Sequence, residues 1–389
     1  MAANFLPYGR QTISDADIAA VEAALRSPFL TQGPAVPAFE QAVAEKVGAA
    51  HGVAVNSATS ALHLACLALG LGPGDRLWTT PITFVASANC GRYCGAEVGF
   101  VDIDPATALM SVVDLEHKLE QAAKTRTLPK LLVPVHLCGA SCDMAAIAAL
   151  AQRYGVVVVE DASHAIGAHY QNEPVGNCRY SAISVFSFHP VKIITTAEGG
   201  LATTNDPRLA QRMADLRSHG ITKEEARFER PSPGPWSYEQ QELGFNYRLT
   251  DLQAALGLSQ LERLEAIVAE RQRLLGVYRQ LLASLPVILL EIPTTVRSAV
   301  HLAVIRLRSR DPTHHRRVFE GLRAAGIGVQ LHYSPVHLQP FYRRLGFAEG
   351  DFPEAEAYAR NAISLPLYPG LQEQEQQRVV EALAGLLKS

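Results

Sequence analysis

One lysine of the chain lies in a strongly apolar stretch. Lys192 is flanked by Val191 and Ile193-Ile194 in the segment SVFSFHPVKIITTAEGGLATT (residues 184–204). Because burial disfavours an ammonium group, such a lysine loses its proton readily and can act as a nucleophile that forms a Schiff base. The alternative is a lysine at a strand end whose aliphatic stem reaches water. These residues alone favour neither interpretation.

The segment around this lysine also predicts its local structure. The mostly apolar run at residues 185–188 predicts one strand, and residues 201–204 predict a second. Lys192 lies in the short loop between them, and the pair Gly199-Gly200 predicts a tight turn. The lysine is therefore expected at the end of a strand, where ligand sites are common in α/β proteins.

A second pattern, near residue 55, suits a phosphate. The apolar run Val53-Ala54-Val55 predicts a strand, and it is followed by NSATS (residues 56–60) and a predicted helix. A helix N-terminus presents free N–H groups, and the small hydroxyl residues beside it leave room for an anion. Simple capping of the helix by Ser57 or Thr59 is the alternative explanation.

A third pattern places an acid at the end of a buried strand. Residues 156–159 are four consecutive valines, as in a parallel strand that is covered on both faces. Asp161 follows at the carboxyl end, where open α/β sheets place ligand-binding groups. It could instead cap the next segment, but its position after a fully buried strand favours a functional role.

These three patterns together predict a pyridoxal phosphate site. The aldehyde of that cofactor bonds a lysine, and its phosphate needs N–H donors. Its pyridine nitrogen needs an anionic partner to keep the ring an electron sink. Each pattern is weak by itself, whereas the combination is specific.

Composition excludes several other classes of function. The 389 residues are 48% hydrophobic and 19% charged, with a net charge of −3, as in ordinary globular proteins. This charge gives no footprint for nucleic acid or anionic membrane. The start of the chain lacks a signal-peptide pattern and no apolar run is long enough to span a membrane, so we expect a cytoplasmic protein.

Cysteine and histidine spacing gives no support for a metal site. The six cysteines include no C-x-x-C pair, which argues against zinc-ribbon and thioredoxin functions. We expect them to be reduced and mostly buried. His332 and His337 lack the carboxylate or cysteine neighbours that a metal centre requires.

The order of predicted elements indicates an α/β fold with two domains. Helices and strands alternate up to residue 250, where a capping box begins a long predicted helix. We place the domain boundary inside that helix, with a large α/β domain and N-terminal arm at 1–260 and a small α+β domain at 261–389. Strands are predicted there at 286–293, 300–307 and 328–333. The loop at 222–241, rich in charge and proline, is expected to be mobile.

Four motifs resemble the DegT/DnrJ/StrS family of sugar aminotransferases. They are SVFSFHPVKIITTAEGG, EDASH, NSATSALHLA and LGFNYRLTDLQAALGLSQL, and the resemblance runs from about Tyr8 to the C-terminus. It implies the aspartate-aminotransferase-like fold of pyridoxal-phosphate enzymes (fold type I), with a mainly parallel central sheet. It also implies a homodimer with shared active sites.

The same resemblance implies roles for individual residues. Lys192 would bond the cofactor, Asp161 would face its pyridine nitrogen, and His164 would lie near the ring hydroxyl. Phe84 would stack on the ring, and Asn246 would reach the phosphate bound by the neighbouring subunit. The phosphate would be held by Ser57, Ala58, Thr59 and Ser187. The implied substrate contacts are Tyr8, Pro28, Phe29, Leu30, Thr31, Ser57, Ser187, Asn246, Gln330, Leu331, His332 and Tyr333.

The resemblance also implies a reaction. Four stretches resemble family members of pseudaminic acid synthesis in particular: FLTQG, NSATSALHLACLALGLGPGD, NCRYSAISVFSFHPVKIITT and ISLPLYPGL. Those members move an amino group from L-glutamate to C4 of a UDP-linked 4-keto-6-deoxy-N-acetylhexosamine. Another nucleotide-linked keto sugar, such as UDP-4-keto-arabinose or a GDP- or dTDP-sugar, is an alternative. A cofactor-bound regulator without turnover is a further one. Family members that remove a hydroxyl carry histidine in place of the lysine, so Lys192 argues against that chemistry.

Overall fold

The computed structural model describes residues 5–309 and 311–388. Its strands are β1 (His51–Val55), β2 (Arg76–Thr79), β3 (Glu97–Phe100), β4 (Leu131–Val133), β5 (Val157–Asp161), β6 (His169–Tyr170), β7 (Glu173–Pro174), β8 (Ile183–Ser187), β9 (Gly200–Thr204), β10 (Ile221–Thr222), β11 (Glu239–Gln240), β12 (Val287–Leu289), β13 (Val296–Arg297), β14 (Ala303–Leu307) and β15 (Ala362–Leu365).

Helices surround these strands along the whole described chain. They are α1 (Asp15–Arg26), α2 (Ala35–Val47), α3 (Ala58–Ala68), α4 (Ala86–Tyr93), α5 (Val112–Thr125), α6 (Met144–Tyr154), α7 (Pro207–Arg217), α8 (Asp251–Glu262), α9 (Leu264–Leu281), α10 (Pro312–Ala324), α11 (Pro340–Arg343), α12 (Pro353–Ala359) and α13 (Glu373–Lys388). No helix within the described ranges combines the length and the apolar character needed to cross a bilayer.

A seven-stranded sheet forms the centre of the molecule, in the order β1-β9-β8-β5-β4-β2-β3. Strands β8, β5, β4, β2 and β3 pair in parallel, and β9 runs antiparallel to both of its neighbours, β1 and β8. Six strands therefore share one direction, and their carboxyl ends lie at one edge of the sheet. This is the mainly parallel sheet that the sequence predicts.

The middle of the sheet is buried on both faces. In β4, Leu132 packs in one hydrophobic core with helices α5 and α6, whereas Leu131 and Val133 pack in another with α3. Val158 and Val159 of β5 divide between the same two cores. Because successive strand residues point to opposite faces, a continuous apolar run is what this two-sided burial requires. The prediction for the valine run is confirmed.

The C-terminal part is a smaller α+β unit, with one predicted strand in the wrong place. An antiparallel sheet in the order β12-β14-β15 packs against α9, α10 and α13. Residues 328–333 do not form the predicted strand, because only Gln330 bridges to Ser364 and the chain then turns away. The strand beside β14 is β15 instead. Residues 327–333 serve as a connection that leads to the edge of the central sheet.

The long helix predicted from residue 250 is two helices. The capping box of Thr250 and Gln253 begins α8 as expected. The chain then breaks at Arg263, whose backbone has φ −99° and ψ 5°, before α9 starts. The guanidinium of Arg263 donates a hydrogen bond to the buried carboxylate of Asp17, which also accepts hydrogen bonds from Ser259 and Gln260. A domain division at 260/261 would cut the last turn of α8, and it stays a prediction.

The N-terminal arm joins the two parts of the molecule. Leu6 is buried in the C-terminal core and pairs with the backbone beside Ile327. Two residues later, the carbonyl of Tyr8 accepts a hydrogen bond from the Leu367 N–H (3.0 Å). The arm thereby carries Tyr8 from the C-terminal core towards the carboxyl edge of the central sheet.

Candidate active site

A cavity of about 880 Å³ opens at the carboxyl edge of the sheet, between the large sheet and the C-terminal unit. This is the size range of small-molecule sites. It brings together most of the residues that the sequence predicts for the site, although they are far apart in the chain. The predicted residues that line it are Tyr8, Ser57, Ala58, Thr59, Phe84, Asp161, His164, Ser187, Lys192, Gln330, Leu331, His332 and Tyr333.

Lys192 lies in the loop between β8 and β9, as predicted. The loop is held by Thr196, whose N–H donates to the Phe188 carbonyl (3.0 Å), and by the Lys192 N–H, which donates to His189 (2.9 Å). Ile193 and Ile194 anchor it in a hydrophobic core. Burial lowers the pKa of the Lys192 amine to about 8, against the opposing attraction of Asp161. The lysine is thus poised to gain and lose a proton near neutral pH.

Asp161 ends β5 with both carboxylate oxygens engaged. Ser87 Oγ donates to Oδ2 (2.6 Å), and the N–H of Ser163 donates to Oδ1 (3.1 Å). Ser87 in turn lies 2.7 Å from the hydroxyl of Thr83. These hydrogen bonds fix the orientation of the carboxyl group. The sequence did not single out Ser87, because nothing near it in the chain indicates that α4 points towards the end of β5.

The start of α3 forms the predicted phosphate cradle. Ser57 caps the helix by accepting from the N–H of Ser60 (3.2 Å). Among the described residues, none accepts a hydrogen bond from the N–H groups of Ala58 and Thr59, which face the cavity. A Cβ atom on Gly200 would lie 2.4 Å from the Ala58 nitrogen, so only glycine lets β9 pack against this turn. Capping and an open anion site therefore coexist here.

Three buried histidines surround the lysine, and each is held neutral. Burial, together with the charge of Lys192, lowers the pKa of His164 and His301 well below the usual value and that of His332 to about 4. The Cys138 N–H donates to His164 Nδ1 (3.3 Å), which places the ring proton on Nε2. That proton points to the Tyr333 hydroxyl, 3.2 Å away. His301 was not predicted, since its neighbours in the sequence carry no other chemical signal.

The C-terminal unit supplies the opposite wall of the cavity. His332 is fixed by Ser364, whose Oγ lies 2.8 Å from Nδ1, and by Tyr358, whose hydroxyl donates to the His332 carbonyl (2.7 Å). The ring of Tyr8 packs against His332 with centroids 5.3 Å apart. Phe84 stands at the rim, 58% exposed, with its ring 6.2 Å from that of Tyr333. Aromatic and neutral polar groups therefore dominate this wall.

Two predicted substrate-binding elements lie outside the cavity of their own chain. Residues 28–31 (Pro28, Phe29, Leu30 and Thr31) are exposed on the surface, where the Leu30 carbonyl accepts from the Asp251 N–H (3.0 Å). Asn246 is also exposed and pairs with Ser218. A role in a neighbouring subunit's site, which the sequence predicted for Asn246, stays a prediction. The further lining residues that the sequence missed include His189 and Glu198.

Comparisons with known proteins agree with this geometry. The profile of the DegT/DnrJ/EryC1/StrS aminotransferase family matches residues 11–384. Spore coat polysaccharide biosynthesis protein SpsC of Bacillus subtilis is 39% identical, over 99% of this chain and 98% of that protein. PseC of Helicobacter pylori, an aminotransferase involved in the biosynthesis of pseudoaminic acid, superimposes with a TM-score of 0.91 at 30% identity, covering 99% of both chains. Spr1654 from Streptococcus pneumoniae in its PLP-form superimposes with a TM-score of 0.89 at 29% identity, again over 99% of both chains.

Pyridoxal phosphate, with which the DegT family works and which the PLP-form of Spr1654 carries, is also the cofactor of this chain, and the described residues fit it. The free N–H groups of Ala58 and Thr59 suit its phosphate. Asp161 suits its pyridine nitrogen, and Lys192, with its lowered pKa, suits its aldehyde. All of these groups line one cavity. Aminotransferase chemistry therefore has each of the partners that it requires.

Replacing the lysine tests its role directly. We expect Lys192→Ala to lower turnover by about 100- to 10,000-fold, the usual contribution of a positioned acid–base group. Lys192→Arg should be as inactive, because a guanidinium keeps its charge but does not release a proton. Steady-state rates and the visible absorption of the protein-bound cofactor would be measured. A Lys192→Arg variant with near-normal turnover would contradict the assignment.

Replacing the acid tests the electrostatics of the site. Asp161 attracts the ammonium form of Lys192, so Asp161→Asn should lower the pKa of the amine further below about 8. The shift should be on the order of one pH unit. It can be read in the cofactor-free protein as the pH dependence of Lys192 acetylation by acetic anhydride, followed by peptide mass spectrometry.

The matched control for that experiment is Glu198→Gln. Glu198 is an exposed acid that lines the same cavity. Burial and Asp161 are the causes that set the amine's pKa, so removing Glu198 should leave the labelling midpoint in place. Equal midpoints in the wild type and Asp161→Asn would show that the two groups do not interact.

Proposed function

The chain belongs to the DegT/DnrJ/EryC1/StrS aminotransferase family, and on that basis we propose its substrates. The amino donor is L-glutamate. The acceptor is UDP-2-acetamido-2,6-dideoxy-β-L-arabino-hex-4-ulose, and amino transfer to C4 gives UDP-4-amino-4,6-dideoxy-N-acetyl-β-L-altrosamine for pseudaminic acid biosynthesis. The observation that carries this choice is the likeness to PseC along nearly the whole chain.

One observation favours a second acceptor. SpsC shares more identical residues with this chain than PseC does, and it takes part in spore coat polysaccharide biosynthesis. The same amino transfer to a different nucleotide-linked keto sugar, such as a UDP-4-keto-arabinose or a GDP- or dTDP-sugar, is therefore the alternative. A regulator without turnover is disfavoured, because Lys192 has both the lowered pKa and the position that catalysis needs.

The bound cofactor supplies an electron sink that stabilises negative charge on the carbon next to the transferred nitrogen. The residues of the chain then manage the protons. Lys192 Nζ, as the neutral amine, takes the proton from the α-carbon of L-glutamate. After 2-oxoglutarate leaves and the keto sugar enters, the Lys192 ammonium gives a proton to sugar C4. One group thus acts as base and then as acid, which a pKa near 8 permits in both directions.

The groups around the lysine hold the reacting atoms in place. Hydrogen bonds from Ser87 and Ser163 fix the carboxyl group of Asp161 at the end of β5, where it would pair with the pyridine nitrogen of the cofactor. The neutral ring of His164 offers its Nε2 proton to a ring oxygen or to Tyr333, without adding a second positive charge beside Lys192.

The acceptor fits the C-terminal wall of the cavity. A 6-deoxy sugar carries a methyl group and few hydroxyls, which suits a wall of aromatic rings with a small number of fixed polar groups. Tyr8, His332 and Gln330 provide such groups, and His332 is fixed by Ser364. Gln330 is held by backbone pairing with Ser364 of the C-terminal unit, so the sugar would contact a rigid surface.

We propose that the diphosphate is neutralised with the help of a second chain. Among the described residues that line the cavity, Lys192 is the one cationic side chain. On the same segment of the chain as Asn246, Leu243 is 82% exposed and Trp236 is 76% exposed, and removing such apolar side chains from water would favour association with a second chain. A homodimer that buries them would bring Asn246 and its neighbour Arg248 to the partner's site.

An acceptor panel tests the substrate. With L-glutamate as donor, the UDP-linked 4-keto-6-deoxy-N-acetylhexosamine should be converted at least about tenfold faster than GDP- or dTDP-linked keto sugars, because the fixed polar groups of the wall discriminate between them. Mass spectrometry identifies the aminated product. Faster conversion of UDP-4-keto-arabinose would replace the proposed acceptor with the alternative.

Mixing two inactive variants tests the shared site. Lys192→Ala and Asn246→Ala homodimers should each be weakly active. In a mixed dimer, one site combines the intact lysine of the Asn246→Ala chain with the intact asparagine of the Lys192→Ala chain. Random pairing makes about half of the dimers mixed, and each of these has one intact site out of two. A 1:1 mixture should therefore recover about a quarter of wild-type activity.

The control for this experiment is a mixture in which both parents carry Lys192→Ala. It should recover no activity, because no site regains its lysine. A Lys192→Ala and Asn246→Ala mixture that exchanges subunits without gaining activity would contradict a shared site.

A further inference from the structure

One of the three histidines around Lys192 has a ring that the protein does not use. His301 lines the cavity and is only 3% exposed. Its ring forms no hydrogen bond within the described chain, and its Nδ1 is fully buried. The other two rings, those of His164 and His332, each share a hydrogen bond with a neighbouring side chain. The ring of His301 is therefore available to a bound molecule.

An unpartnered Nδ1 does not by itself mark a binding site. The same atom lacks a partner in His169 and His337, and neither of these residues is among those that line the cavity. His301 differs from them in its location. Its ring lies against that of His164, with centroids 4.4 Å apart, and its backbone N–H donates to the Cys138 carbonyl (2.9 Å). These contacts fix His301 beside the reacting centre.

The charges near His301 favour an anion. Burial lowers the pKa of the ring well below its usual value, and so do four basic neighbours, which are His164, Lys192, Arg271 and His332. The guanidinium of Arg271 donates to the His301 carbonyl (3.3 Å), on the backbone side of the residue. The ring is thus a neutral hydrogen-bond donor in positive surroundings. A carboxylate beside it would be stabilised by both the donor and the charges.

The amino donor needs such a place for its α-carboxylate. This group is bonded directly to the carbon from which Lys192 takes a proton, so only residues around the lysine can reach it. A carboxylate that is buried without hydrogen bonds is costly. His164 and Tyr333 are bonded to each other, and His332 packs against Tyr8 on the sugar wall. His301 is the remaining donor.

We propose that His301 binds the α-carboxylate of the amino donor through a ring N–H. The inference rests on the amino-donor half of the function proposed above, and every α-amino acid carries the group that it concerns. A neutral donor suits a site that holds a carboxylate in one half of the reaction and an uncharged keto group in the other. An arginine in this position would be left as an unpaired buried charge whenever the keto sugar is bound.

The two half-reactions separate this role from a structural one. L-glutamate converts the pyridoxal form of the enzyme into the pyridoxamine form, and the best acceptor of the panel above converts it back. Both steps are followed by visible absorption. In His301→Asn, the half-saturating concentration of L-glutamate should rise about ten- to a hundredfold, the usual effect of losing a hydrogen bond to a charged group. That of the keto sugar should stay close to the wild-type value. Equal losses in both steps would indicate a structural role and contradict the assignment.

A donor without the α-carboxylate gives the sharper test. 4-Aminobutyrate is L-glutamate with a hydrogen atom in place of that group. His301→Asn should weaken the reaction of L-glutamate and leave that of 4-aminobutyrate nearly unchanged, so the preference for L-glutamate should fall about ten- to a hundredfold. Such non-additivity indicates a direct interaction between the two groups removed. Single-turnover rates are compared, with inhibition constants against L-glutamate where 4-aminobutyrate reacts too slowly. An unchanged preference would overturn the proposal.

His169→Asn is the matched control. The Nδ1 of His169 is also buried and unpartnered, but the residue lies outside the cavity lining, so this variant should keep the wild-type preference. If His301→Asn does not fold, His301→Phe replaces it, because phenylalanine keeps a ring against His164 without a donor. A wild type that L-glutamate does not convert would refute the proposed donor instead. The same comparison would then be made with the α-amino acid that does convert it.

Discussion

The site depends on the common direction of the strands in the central sheet. Because β1, β5 and β8 all run the same way, the residues that follow them in the chain meet at one edge. The cradle at Ser57, the acid Asp161 and Ser187 each stand at such a strand end. The single reversed strand, β9, begins at the same edge. Its first residue, Gly200, packs directly against the cradle, so the lysine loop and the phosphate site are built on the same contact.

Desolvation is the larger of the two electrostatic effects on the site. Lys192 has an anion nearby, yet burial lowers its pKa, which means that the loss of water outweighs the attraction of Asp161. The same burial keeps His164 and His301 neutral. A protonated histidine here would repel the lysine and the cofactor's ring nitrogen. The buried part of the cavity therefore holds one cation, Lys192, and one strand-end anion, Asp161, with neutral histidines beside them, whereas the second acid of the lining, Glu198, is exposed.

The sequence predicts those parts of the site that local patterns encode. Lys192, Asp161 and the turn at Ser57 each follow a recognisable strand, so residue type and position point to function together. Ser87 and His301 could not be found in this way, because they reach the site only through the packing of α4 and of the C-terminal unit. The strand predicted at 328–333 failed for a related reason. Its apolar residues pack against neighbours that are far away in the chain, without pairing as a strand. In the sequence, such an apolar run has the same pattern as a buried strand.

The break between α8 and α9 sets the position of Arg271 relative to the lysine loop. Had the helix continued straight through Arg263, the position of Arg271 relative to the lysine loop would be different, because each residue advances a helix by about 1.5 Å. The break is held by the buried carboxylate of Asp17, which binds Arg263 and Gln260. Asp17 thus compensates one arginine of this region and is fully engaged in doing so. One helix further on, Arg271 is buried and donates to the backbone carbonyls of Val300, His301 and Leu367. The loss of water lowers its pKa to about 10, so desolvation acts on this cation in the same direction as on Lys192.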